Sequence, residues 1–156
     1  MVTTRRQFMI ASGTAAAAML LPSFAFARGL AFAQAACERV SDSNVRLTWA
    51  LSETGKPVDI SVSTTPNSKG ATVLAKRVTG NTFEGEQTVK GRPYFHLTSG
   101  DAKITVAERL LPLKGGRNFR DLGGYETSDG KRLRWGTLYR SGTMAFLTAE
   151  DYAYLS

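Results

Sequence analysis

Between Gly115 and Tyr125 the chain reads Gly115-Gly116-Arg117-Asn118-Phe119-Arg120-Asp121-Leu122-Gly123-Gly124-Tyr125, two glycine pairs around two arginines, an amide, an aromatic ring and a carboxylate. Neither a helix interior nor a plain strand favours that mixture. Glycine admits positive φ and close approach of the main chain to another group, and arginine offers a planar fork that fits carboxylate or phosphate oxygens. The chemistry to expect of such a stretch is anion recognition. Its surroundings share the bias: from Glu108 to Gly142 there are eight basic residues (Arg109, Lys114, Arg117, Arg120, Lys131, Arg132, Arg134, Arg140) and four acids (Glu108, Asp121, Glu126, Asp129). A basic cluster attracts phosphate esters, and a solvated surface has the same composition.

Elsewhere the chemistry-bearing residues are sparse. The single cysteine, Cys37, excludes an internal disulfide framework. The single histidine, His96, excludes most histidine-based metal sites and lies in an apolar run, where a satisfied sheet residue is expected. No cofactor and no metal are expected. With 156 residues, 42% hydrophobic and 21% charged, the chain has the composition of one globular domain or two small ones. Two of the charges behind the net +7, Arg5 and Arg6, fall in a segment expected to be removed.

That segment, residues 1–33, reads as an export signal. Arg5-Arg6-Gln7-Phe8-Met9 precedes a mild apolar run to Ala27, with small residues at cleavage spacing in Ala25-Phe26-Ala27 and Ala31-Phe32-Ala33. The paired arginines resemble a twin-arginine signal, which implies an export machinery as partner and a periplasmic or secreted location. Ser12, Gly13, Thr14, Pro22 and Ser23 argue against a membrane anchor, so none is expected after cleavage. Cys37 as a lipid-attachment site is the weaker alternative, because Gln34 stands where an aliphatic residue would be wanted.

Residues 34–111 form a second domain, in which the period becomes two from Ser41 onward. Val45, Leu47, Trp49 and Leu51 alternate with polar or small residues, as do Val58, Ile60 and Val62. Turns at Thr54-Gly55-Lys56-Pro57, Pro66 to Gly70, Thr79-Gly80-Asn81, Lys90-Gly91-Arg92-Pro93 and Ser99-Gly100-Asp101 separate further strands at 72–78, 82–89, 94–98 and 103–107. Strands of that length and spacing predict a small antiparallel β-sandwich. Trp49, Tyr94 to Thr98 and Ile104-Thr105-Val106 resemble a fibronectin type III-like domain.

The remainder, residues 112–156, predicts a loop edged by strand, a hairpin at Asp129-Gly130, a short strand at Leu138-Tyr139-Arg140 and a helix capped by Thr148, with Leu147 and Tyr152 placed for a hydrophobic staple. Two helical turns without a C-cap suggest a truncated chain.

Asn118 to Tyr125, Asp129-Gly130, Arg134-Trp135-Gly136, Leu138 to Gly142 and Leu147-Thr148 together resemble the opening of the bacterial tyrosine phosphatase family, a cysteine-dependent group related to dual-specificity phosphatases. The resemblance implies an incomplete start of an α/β phosphatase domain behind the β-sandwich. It also implies hydrolysis of phosphate monoesters through a phosphocysteine formed in a Cys, five residues, Arg loop at a helix N-terminus. The sixth residue after Cys37 is Ser43, so that loop is missing, no catalytic residue lies in this chain, and the chain alone is expected to be inactive. Oxidation of Cys37 together with a nucleophile outside the sequence is a further expectation of an exported thiol enzyme.

The resemblance places Asn118, Arg120, Asp121, Arg140 and Ser141 at the shoulder of the substrate site, facing a phosphorylated protein or small molecule. An Arg120–Asp121 ion pair would position the loop, with a purely structural role for these residues as the competing reading. Two other classes compete for the whole chain. An exported binding or adhesion module would make the tail a linker, but Phe119, Leu122, Trp135 and Phe146 need a core. A nucleic-acid binder would need a recognition helix or stacking motif, and none is present.

Overall fold

The computed structural model describes residues 29–156, so all but the last five residues of the export signal read at 1–33 fall outside the described residues. Among the described residues nine strands and one helix follow one another: β1 (Phe32–Arg39), β2 (Asn44–Leu51), β3 (Val58–Ser63), β4 (Thr72–Val78), β5 (Thr82–Glu86), β6 (Tyr94–Ser99), β7 (Ala102–Val106), β8 (Arg120–Asp121), β9 (Tyr139–Arg140) and α1 (Ala149–Leu155). The first seven form two antiparallel sheets, β1-β2-β5 and β4-β3-β6-β7. Val45, Leu47 and Trp49 from the first sheet and Val58, Ile60, Val62, Phe95, Leu97, Ile104 and Val106 from the second share one apolar core. The alternation seen in the sequence is therefore the inward face of each strand.

Strands β2 to β7 fall where period and turns put them, except that β5 stops at Glu86. β1 is new. The sequence places Phe32 and Ala33 in the export signal and residues 34–39 in the sandwich domain ahead of its first recognisable strand, because an alanine-rich run after an apolar leader has no strand signature. In the fold they pair along β2 from Phe32↔Leu51 to Arg39↔Val45, and Phe32 is buried in the core. A cut after Ala33 would remove that core side chain, whereas a cut after Ala27 would leave β1 whole.

At the outer strand β4 the pairing slips twice, so that Lys76 and Arg77 together face the single Asp59 and Leu74 is an extra residue against β3. Arg77 sits at φ 54, and its amide donates to Asp59 Oδ1 at 2.7 Å. That is a bulge held by a carboxylate rather than by the ladder.

His96, in the middle of β6, is buried with both ring nitrogens engaged, by Ser63 Oγ at 2.8 Å and Thr105 Oγ1 at 3.0 Å. Burial holds its imidazole pKa below the ordinary value.

Beyond β7 the chain lies against the edge of this unit. β8 pairs with β9 in the register Arg120↔Arg140 and Asp121↔Tyr139, and Leu110 bridges to Arg120 on the other side. The Asp129-Gly130 turn closes a hairpin through Thr127 N to Lys131 O and Leu133 N to Tyr125 O. Residues 112–156 thus hold short antiparallel pairings and one seven-residue helix, and the central sheet flanked by helices is not assembled within them. Among the described residues no helix is long and apolar enough to cross a membrane.

Candidate functional site

The glycine pairs that open and close the motif have separate steric reasons. A side chain at Gly115 would collide with the Phe146 carbonyl, and one at Gly123 would meet Trp135 Cα at 2.5 Å. The first pair admits the loop before α1 and the second admits an indole. Between them Asn118 takes φ 53, a left-handed conformation that asparagine tolerates better than most residues.

Asp121 is the hub. It is fully buried, its Oδ1 accepts from Gly123 N at 2.7 Å, and its Oδ2 accepts from Gly136 N at 2.8 Å and pairs with Arg92 Nη1 at 2.7 Å. The expected Arg120–Asp121 pair is not formed. Adjacent strand residues point to opposite faces, so Arg120 stays exposed and its Nε donates to Asn118 Oδ1 at 2.6 Å. With both oxygens committed and no exposure, Asp121 is placed as a structural anchor.

Arg92 is the residue that the sequence concealed. It appeared only as part of a turn, yet it ties the first unit to the second. Its Nη1 also donates to Tyr139 Oη at 3.1 Å and its Nη2 to Glu108 O at 3.2 Å. The rings of Tyr94, Trp135 and Tyr139 surround its guanidinium at 5.1, 6.0 and 5.9 Å. Arg109 performs a similar task, donating to the Asp121 and Gly123 carbonyls at 3.2 and 2.7 Å while stacking 3.9 Å over Tyr125. Trp135 completes the junction by donating from Nε1 to Thr105 O at 2.9 Å and packing with Tyr94 and Ala107. An arginine before Pro93 and an aromatic strand start was the one available signal for Arg92.

α1 is fastened by a second buried carboxylate. Asp151 accepts from Lys114 N, Gly115 N and Thr148 N at 2.7 to 3.0 Å, and Thr148 Oγ1 accepts in return from Asp151 N. Thr148 is thus the N-cap that its sequence context predicts, within a capping box. These amides, Thr148 first, hold the Asp151 carboxyl below its usual range against the opposing effect of burial. The expected staple is absent: Tyr152 is 59% exposed, and Leu147 lies instead against Gly116.

The charges then sort themselves. All four acids of the basic region are already engaged, Glu108 with Arg39, Asp121 with Arg92, Glu126 with Arg132 and Asp129 with Lys131. Among the described residues no carboxylate lies within ion-pair distance of Arg117, Arg120 or Arg140. Arg120 and Arg140 are direct cross-strand partners and both are exposed. Like charges placed directly opposite oppose pairing, and an anion on that face would relieve the opposition. Asn118 lies two residues before Arg120 and Ser141 one after Arg140, while the amide of Gly142 donates to Arg117 O at 2.8 Å and draws the two ends together. Of the five residues expected at a site shoulder, Arg120 and Arg140 share this outward face and Asn118 is bonded to Arg120, Ser141 follows Arg140 at the end of the strand, and Asp121 faces inward.

Cys37 lies within β1, half-buried. Burial first, then the neighbouring Glu108, pushes its thiol up to about 12. A neutral mid-strand thiol is the opposite of an activated nucleophile, and it gives the expected oxidation of Cys37 no chemical support.

Residues 111–156 match the model of the tyrosine phosphatase family. The match begins where the chain leaves the first β unit and contains β8, β9, α1 and both anchoring aspartates. No curated protein and no solved structure matches the chain.

Proposed function

We propose that this chain is the amino-terminal part of an exported phosphatase of the tyrosine phosphatase type. Residues 112–156 open its catalytic domain, and a fibronectin type III-like sandwich precedes them. Phosphate monoesters are hydrolysed through a phosphocysteine on a Cys, five residues, Arg loop that other sequence supplies. The family match over residues 111–156 supports the reaction class. Seven strands in a three-stranded and a four-stranded antiparallel sheet around one core suit the sandwich reading.

The observation that carries the site is the outward Arg120–Arg140 pair, left without carboxylates in a region whose own acids are all engaged. On this reading Arg120 and Arg140, with Asn118 and Ser141, bind phosphoryl oxygens or the charged surroundings of the phosphoester. The periplasm or the exterior is the location, reached through the twin-arginine-type signal. A binding module followed by a linker fits less well, since a linker would not bury Phe119, Asp121 and Trp135.

Aryl phosphate hydrolysis tests this. A protein extended to include the Cys, five residues, Arg loop is expected to turn over and to lose activity when that cysteine becomes serine. The 156-residue chain is expected to show none. Turnover by the chain alone, or a coding sequence that continues without such a loop, overturns the proposal.

A further inference from the structure

The two groups that Arg92 holds, Asp121 and Tyr139, and the outward arginines occupy successive levels of the same strand pair. Asp121 and Tyr139 are cross-strand partners facing the first β unit, and one guanidinium from that unit binds both, at 2.7 and 3.1 Å. The next partners along the ladder, Arg120 and Arg140, face the other way. Whatever fixes the inward pair therefore fixes the spacing and tilt of the outward one, since side chains one residue apart share a rigid peptide.

We propose that Arg92 is a positioning residue, through which the first β unit sets the backbone of the Asn118–Gly124 turn and the geometry of the Arg120/Arg140 face. The inference rests on the phosphatase reading for the use of that face, but not for the clamp itself. Three features support it. The Arg92 side chain is 14% exposed and the Asp121 side chain 0%, so water does not screen the pair. The guanidinium is shared among a carboxylate, a phenol and a main-chain carbonyl, a task for a planar fork that an ammonium performs poorly. Finally, Asp121 passes the constraint to the amides of Gly123 and Gly136, the two ends of the loop that carries the hairpin.

The test uses the whole chain with Arg92→Met and the milder Arg92→Lys. Amide hydrogen exchange is followed at Gly123 and Gly136, with Leu97 in β6 reporting on the first unit. Inorganic phosphate is titrated while the Asn118 and Ser141 amides are observed by NMR. Exchange at Gly123 and Gly136 is expected to quicken about a hundredfold in Arg92→Met, with Leu97 unchanged. Arg92→Lys is expected to restore less than half of the protection, and phosphate affinity to fall in step with it. Unchanged protection at Gly123 and Gly136, equal loss at Leu97, or full rescue by lysine would each overturn the proposal. Absence of phosphate binding in the unaltered chain would count against the anion face, while the exchange data would still decide the role of Arg92.

Discussion

Residues 32–107 and 108–156 differ in what holds them. The first region is built around an apolar core to which every strand except the outer β4 and β5 gives buried side chains, and its polar groups lie mostly at the surface. The second owns little core: Trp135 clusters with Tyr94 and Ala107 of the first region rather than with its own neighbours. What it has are two buried aspartates, Asp121 and Asp151, each accepting from backbone amides of separate segments. Apolar burial is non-directional and tolerant, whereas a buried carboxylate fixes particular peptides in particular places. The first region is held as a mass, and the second is held at points.

The largest effect that would sharpen this contrast is expected from Asp121→Ala. Removing one partner of a buried pair leaves Arg92 uncompensated, at a cost of about 3–5 kcal/mol. Hydrogen exchange should locate the loss in the second region, and a uniform loss across both would break the comparison. Leu97→Ala comes next, at about 2–5 kcal/mol. Here the two regions are expected to melt together in a thermal scan, because the second rests on Tyr94 and Ala107. A second region that survives unfolding of the first would contradict the dependence.

The smallest effect is in acid. His96 has a lowered pKa in the fold, so its contribution is complete above the ordinary imidazole value and is lost as pH falls from there through the lowered value. Asp151 is also lowered, so its contribution is complete above the ordinary carboxylate value and is lost below it. Melting temperature against pH should therefore fall in two steps, one below the ordinary imidazole value and one below the ordinary carboxylate value. His96→Gln is expected to flatten the upper step and Asp151→Asn the lower one. A single step in the carboxylate range for both variants would refute the assignment.

Much of the first region was legible, because period-two alternation and Gly/Pro/Asn turns report directly on strands with one buried face. β1 was not, since alanine, glutamine and cysteine carry no such alternation and an apolar leader adjoins them. In the second region the hairpin, the short strand at Tyr139 and the Thr148 cap were visible, being local. The partner of Asp121 was not: sequence proximity suggested Arg120, while strand geometry turns neighbours apart and brings Arg92 from another turn. Leu147 and Tyr152 had the spacing of a staple, but the demand of Gly116 and Leu113 for a cover drew Leu147 away. Contacts made within a few residues could be read, and those made across the junction could not.

The doubled slip in β4 bears on how copies of this molecule meet one another. An outer strand offers unused amides and carbonyls to any passing chain, and regular spacing is what lets a foreign strand latch on. Here Lys76 and Arg77 occupy the irregular stretch, Arg77 in a left-handed conformation with its amide turned to Asp59. A would-be neighbour finds charge and broken periodicity in place of a template, so fibril-like stacking along that border is blocked by the backbone itself. Straightening it by deleting one residue from each slip would trade a small local strain for a surface prone to self-assembly.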